Sequence, residues 1–151
     1  MPQAVLTKCL VLISILFAGC ASGPEQYHVH CIGDKDLNQT LDGSSSAVTA
    51  FLYQVKDKSA WDQADMNDLL NPPPSVPPTS PWAAPPKECL VYTGQKAVID
   101  IMIEPSALFL GVVGLFNEDK GASKQLLSRD EIDDKTISFK DYAITIVARE
   151  E

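Results

Sequence analysis

Two stretches decide the fold: Ala97-Val-Ile-Asp-Ile-Met-Ile103, and Ala107-Leu-Phe-Leu-Gly-Val-Val-Gly-Leu-Phe116 a few residues later. In the first, Ile99, Ile101 and Ile103 fall on one side of an extended chain and Val98, Asp100 and Met102 on the other, the period of two of a half-buried strand. Pro105 ends it because a proline donates no ladder hydrogen bond. Leu108 to Phe116 is almost continuously apolar and predicts a strand in the middle of a sandwich, with Gly111 and Gly114 admitting close approach of the opposite sheet. Upstream, Ala47 to Val55 (AVTAFLYQV) mixes β-branched and aromatic residues on both faces, so neither face is expected to be fully wet. Short runs at Tyr27 to Ile32, Leu90 to Thr93, Thr136 to Phe139 and Tyr142 to Ala148 also read as strands. Ser123 to Leu127 is ambiguous, and Ser128 to Glu131 has the spacing of a capping box.

Between the strands, Lys58 to Leu70 changes period. Trp61, Ala64, Asp68 and Leu69 are spaced as on a short amphipathic helix, for which Ser59 is the expected N-cap. Asn71-Pro72-Pro73-Pro74 stops it, and eight of the fifteen residues from Pro72 to Pro86 are proline. That composition gives an extended, stiff segment returning the chain to the sheet. Seven or so short strands and one inserted helix define an all-β class, an antiparallel β-sandwich.

The 151 residues are 45% hydrophobic and 21% charged, enough for one ordinary domain, and 12 Lys and Arg against 20 Asp and Glu give a formal charge of -8. Nucleic acid and anionic bilayer surfaces are disfavoured partners, since both are gripped by clustered basic groups. The N-terminus has a different character. Lys8 precedes a mostly apolar stretch of ten residues from Cys9 to Ala18, about 15 Å of helix against about 30 Å of hydrocarbon, too short to span and right for an export signal. Leu16-Phe17-Ala18-Gly19-Cys20-Ala21 resembles the lipobox of bacterial lipoproteins, in which the cysteine becomes the acylated first residue. The expected organisation is a signal peptide over residues 1–19, a lipid-anchored tether over 20–26 and a β-sandwich over 27–151. By the same resemblance, Ala21 in second place implies sorting to the outer membrane. Two cysteines, Cys31 and Cys89, remain in an oxidising compartment, where one disulfide is the simplest arithmetic and two buried thiols the alternative.

Motifs that could carry chemistry are sparse. His28 and His30 share a strand face, a spacing that chelates a metal only if a third ligand converges. Asp34-x-Asp36-x-Asn38 imitates the start of a calcium loop, but Gln39 occupies the position that needs glycine and Ser45 the position that needs a bidentate glutamate. No GxSxG, no Cys/His pair of recognised spacing and no glycine-rich phosphate loop occurs. The acidic run Asp130 to Asp134 reads as a solvated surface. These features predict no enzyme, no cofactor and no metal centre, and leave a sandwich whose long polar first connection is its best binding element.

The order of the quoted stretches resembles the TssJ (SciN) family of type VI secretion outer-membrane lipoproteins. The resemblance rests on the lipobox at Cys20, on Leu37-Asn38 with Asp42-Gly43-Ser44 leading into Val48 to Val55, on Trp61 to Asp65, and on Ala107 to Phe116. It implies a transthyretin-like β-sandwich with an added helix, anchored in the outer membrane, facing the periplasm and without a catalytic role. It also implies that the loop between the first two strands contacts the periplasmic C-terminal domain of TssM within a trans-envelope complex. Here that loop is Leu37, Asn38, Gln39, Thr40, Leu41, Asp42, Gly43, Ser44, Ser45 and Ser46. Its hydrogen-bonding groups suit a partner surface, and Leu37 and Leu41 are expected as small apolar anchors. The competing expectation is a periplasm-facing lipoprotein that binds a small ligand or metal through His28, His30 and the Asp34/Asp36 loop.

Overall fold

The computed structural model describes residues 22–119, 121 and 123–150. The expected signal peptide and the acylation site at Cys20 lie outside them. Eight strands run in chain order: β1 (Glu25–Gly33), β2 (Val48–Val55), β3 (Lys87–Val91), β4 (Lys96–Ile103), β5 (Phe109–Leu115), β6 (Lys124–Ser128), β7 (Lys135–Lys140) and β8 (Ala143–Ala148). They form two four-stranded sheets, ordered β4-β1-β7-β8 and β3-β2-β5-β6. All ladders are antiparallel except β1 with β7, which pair in parallel from His30–Thr136 to Gly33–Phe139. β1 begins two residues earlier than the sequence suggests.

The alternation read in Ala97 to Ile103 is realised: Ile101 and Ile103 are buried while Val98, Asp100 and Met102 are exposed. Between the sheets lie Val29, Cys31, Val48, Leu52, Leu110, Val112, Phe139 and Ile144, each large apolar side chain contributing about 1.5–3 kcal/mol on burial. The sequence also places polar side chains at both ends of this core. Gln54, 5% exposed, donates from Nε2 to the Met102 carbonyl at 2.8 Å and accepts the Glu104 N–H at 2.7 Å, stitching β2 to the end of β4 across the sandwich. A buried amide is tolerated because its groups are paired.

The inserted helix is two helices. α1 (Lys58–Gln63) is capped by Asp57, which accepts the Ser59 N–H, so Ser59 is not itself the cap. α2 (Met66–Leu70) is capped by Asp65. Ala64 is extended (φ -63°, ψ 132°) and the Asp65 carboxylate accepts the Asn67 N–H, a local bond that competes with helix continuation. The two helices and the Pro-rich segment cover the outer face of the β2–β5 sheet around Tyr53, Val55, Trp61, Leu69 and Val113. Trp82 bridges to Val55, and the Lys56 N–H donates to Pro81 and the Ala83 N–H to Gln54, so the proline run is bound to the end of β2. Gly111 accordingly faces this layer rather than the opposite sheet: a Cβ there would lie 2.5–2.8 Å from the Trp61 ring. Gly114 does face the opposite sheet, where a Cβ would meet Ile144 at 3.3 Å.

Cys31, on β1, and Cys89, on β3, belong to opposite sheets, and both are thiols in this structure. The Cys89 thiol is turned toward the Ala50 carbonyl, 3.6 Å away. Burial pushes Cys31 up to about 12, with a smaller contribution from Cys89, and burial pushes Cys89 up to about 11, both from 9.0. Above pH 9 the unfolded chain sheds protons that the folded thiols retain, so stability is full below pH 9 and falls as pH rises toward these values. Burial likewise raises the Tyr53 hydroxyl to about 12 from 10.0, so the window from pH 9 to 10 isolates the thiols. Urea titrations across that window are expected to show stability falling with pH in reduced protein and level in disulfide-bridged protein. Equal slopes would contradict the burial of both thiols.

Candidate functional site

Strand direction sorts the connections into two ends. β1 enters at Glu25 and leaves at Gly33; the β1–β2 loop, the β3–β4 turn, the β5–β6 connection and the β7–β8 turn therefore gather at one end. The N-terminal residues, the β4–β5 loop and the 3-10 helix Arg129–Asp134 lie at the other. Nine residues of strand separate the two ends by about 30 Å.

At the N-terminal end Arg129 holds the root of β1. Its side chain donates to the Tyr27 hydroxyl (3.0 Å), the Glu25 carboxylate (2.8 Å) and the carbonyls of Glu104, Pro105 and Ala107. Hydrogen bonding to Arg129 and then Tyr27 lowers the Glu25 carboxyl below its ordinary value.

At the opposite end the β1–β2 loop is organised by Asn38, 2% exposed and in the left-handed region at φ 49°. Its Nδ2 donates to Ser46 Oγ (2.9 Å) and the Ala47 carbonyl (3.1 Å). Its Oδ1 accepts the Asn117 N–H (2.6 Å), and its carbonyl accepts Asn117 Nδ2 (3.1 Å) and the Ser46 hydroxyl (2.8 Å). Gln39 is fixed by the Tyr142 hydroxyl, which donates to its carbonyl at 3.0 Å. Further out, Asp42 accepts from the Ser44 hydroxyl and N–H and from the Thr40 hydroxyl, bonds that hold its carboxyl down at about 2.

The structure puts the ten loop residues in different surroundings. Leu37 is fully buried in the main core and cannot serve as an anchor, because the chain turns inward there before the loop projects. Asn38 is buried and ties the two sides of the loop's base together. Ser46 is spent on Asn38, and Ser45 donates to the Lys35 carbonyl at 2.7 Å. Leu41, Asp42, Gly43 and Ser44 remain exposed, and Leu41 is 102% exposed, a leucine with no neighbour covering it. Sequence reasoning missed Asn117 and Glu118, which with Gln39, Thr40, Leu41 and Asp42 line a groove of about 580 Å³.

The histidines do not converge on a site. His28 Nδ1 lies 2.6 Å from Asp100 Oδ1, His30 Nε2 lies 3.2 Å from Arg149 Nη1, and Asp34 accepts the Asp36 N–H. No group of three or more metal-ligating residues occurs among the described residues.

The structure is thus a two-sheet sandwich with a hydrogen-bonded loop that presents an exposed leucine at the end away from Glu25. The family model described as type VI secretion lipoprotein (VasD, EvfM, TssJ, VC_A0113) matches residues 25–149, and the chain belongs to that family of structural, non-enzymatic lipoproteins. Among solved structures, the type VI lipoprotein TssJ1 of Pseudomonas aeruginosa is similar at TM-score 0.69 and 20% identity, covering 85% of this chain and 98% of that one. Serratia marcescens Lip, described as a membrane-bound component of the type VI secretion system, is similar at TM-score 0.71 and 15% identity, covering 85% and 99%. A chain in a structure described as the TssM C-terminal domain (869–1107) from EAEC is similar at TM-score 0.68 and 23% identity, covering 82% and 98%. No curated protein is significantly similar.

Proposed function

We propose that this chain is the outer-membrane lipoprotein of a type VI secretion membrane complex, and that its β1–β2 loop docks the periplasmic C-terminal domain of TssM. Acylation at Cys20 would hold the N-terminal end at the outer membrane, facing the periplasm, through acyl chains whose burial is worth about 0.8 kcal/mol per methylene. The observation that carries the docking is the fully exposed Leu41 on a hydrogen-bonded base, at the end of β1 opposite the tether. An uncovered leucine on a preorganised loop loses little entropy on binding and gains apolar contact when a partner covers it. The similar chain in the TssM structure supports the partnership. The range 869–1107 is nearly twice as long as a chain that this one covers to 98%, so the matched chain is shorter than the TssM domain described there.

We also propose that Cys31 and Cys89 become bridged during export by exchange with a donor disulfide, which is reduced to two thiols as the bridge forms. Exchange after folding is slow because burial leaves little thiolate to attack.

The docking reading is tested with the double substitution Leu41→Ala, Asp42→Ala. Neither side chain reaches the core, so the domain should stay folded, with at most a small drop in melting temperature from the Thr40 and Ser44 bonds to Asp42, while affinity for the TssM periplasmic domain drops by about thirtyfold, a loss of about 2 kcal/mol. A calorimetric titration giving wild-type affinity would sink the loop assignment.

A further inference from the structure

The end of the sandwich at which β1 begins carries a surface of its own. Arg129 gathers it: the guanidinium donates to the Glu25 carboxylate at the root of β1 and to the carbonyls of Pro105 and Ala107, and the Arg129 N–H donates to the Leu108 carbonyl at 3.0 Å. The rim continues along the end of β2. The Leu108 N–H donates to the Val55 carbonyl (2.9 Å), the Lys56 N–H to the Pro81 carbonyl (2.9 Å) and Lys56 Nζ to the Pro78 carbonyl (3.2 Å). Pro105, Leu108, Pro77 and Pro78 are exposed along it, Leu108 by 57%. Prolines have little conformational freedom left to lose, so covering such a rim costs little entropy.

The length of chain before β1 says what covers the rim. Five residue steps separate Cys20 from Glu25, a reach of at most about 17 Å when extended and about 12 Å on average for a flexible chain. Both are shorter than the strands, whose nine-residue β1 spans about 30 Å. Because β1 is an inner strand of its sheet, the tether joins the end of the sandwich and not an edge. A domain held at Cys20 therefore keeps this end, and not the β1–β2 loop, against the bilayer. We infer that in the anchored protein the rim of Pro105, Leu108, Pro77 and Pro78 rests in the headgroup layer of a zwitterionic leaflet, with Leu108 as its apolar contact. This rests on the acylation reading above and adds a second attachment to it: the acyl chains fix the position of Cys20, and the rim fixes the tilt of the domain. Charge sets the lipid class. Asp130, Glu131, Asp133 and Asp134 are exposed on the 3-10 helix at the same end, and the formal charge of the chain is -8, so anionic headgroups repel the surface that the tether brings down.

The test uses the acylated chain, purified from membranes and reconstituted in phosphatidylethanolamine and phosphatidylcholine vesicles that contain lipid brominated near the headgroup, which quenches tryptophan on contact. Leu108→Trp and, at the tip of the β4–β5 loop, Ser106→Trp probe the rim, and Leu41→Trp probes the far end, each read against the background of Trp61 and Trp82. The two rim variants should lose about half or more of their added emission, since only side chains in the interface meet the bromine, and Leu41→Trp should lose almost none. Exchanging about half of the lipid for phosphatidylglycerol at low salt should reduce the quenching, and added salt should restore it. Stronger quenching on phosphatidylglycerol overturns the zwitterionic assignment. The rim variants carrying Cys20→Ser should not be quenched by the same vesicles; quenching there would assign the contact to the introduced tryptophan and overturn the inference. Vesicle flotation separates the two readings. Protein that floats with the vesicles but is quenched equally at both ends, or at neither, overturns the rim contact and leaves the anchor standing. Protein that does not float overturns the anchor and the rim contact with it. Both rim positions are exposed, and Ser106→Trp keeps the inference open to refutation if Leu108→Trp misfolds.

Discussion

Replacing Trp61 with alanine is expected to destabilise the domain by about 3–5 kcal/mol, the range for removing a buried aromatic side chain. Trp61 is 2% exposed and sits between Tyr53 and Trp82, with ring centroids at 5.9 and 6.1 Å. It fills the space that Gly111 leaves open on β5. Lys124 adds a second attachment. Its ammonium donates to the carbonyls of Trp61 (2.9 Å) and Ala64 (3.1 Å) at the end of α1, and lies 5.6 Å from the Trp61 ring centroid. Without the indole, α1 loses its only buried side chain, and a six-residue helix does not persist on propensity alone. Urea unfolding is the measurement, with the near-ultraviolet circular dichroism of Tyr53 and Trp82 reporting whether the covering layer detaches. A cost below about 1 kcal/mol would mean that the insertion is held by other contacts.

Asn38→Ala is expected to cost about 3 kcal/mol, although the residue is neither apolar nor in a regular element. Two effects combine: Ser46, Ala47 and Asn117 lose a buried partner, at about 1–3 kcal/mol, and alanine is forced into the left-handed region, at about 1–2 kcal/mol. Asn38→Gly separates them. It removes the same hydrogen bonds without the backbone strain, and should recover about 1 kcal/mol relative to alanine in urea titrations. Equal stabilities for the two variants would eliminate strain as a contribution. On the docking proposed above, both variants should also bind TssM more weakly than their folded fraction accounts for, because the loop that carries Leu41 is no longer fixed.

How far the sequence reveals this molecule depends on the range of the interaction involved. Period-two patterning is local, so Ile99, Ile101 and Ile103, and the run through Val112 and Val113, identified their strands directly. The break between α1 and α2 is also local, but it depends on whether the Asp65 carboxylate takes the Asn67 N–H, and composition does not decide that competition. Leu37 and Asn38 sit in a polar tract and read as loop contacts. Their burial follows from how the chain leaves Gly33, which no periodicity records. Asn117 and Glu118 carry no signal in their own neighbourhood. They join the site because β5 ends where β2 begins, a fact obtainable only from strand order, and the parallel pairing of β1 with β7 is hidden for the same reason.

The path of β1 has a mechanical consequence. If the N-terminus is fixed in a bilayer and the far loop is gripped by a protein spanning the envelope, any pull between the two travels along this single strand. β1 is flanked by β4 through eight residue pairs and by β7 through four, so its already extended backbone carries the tension covalently while the two ladders keep it in the sheet. On the anchoring and docking proposed above, the domain would be a stiff coupling in which the load passes along one taut strand instead of through the sandwich.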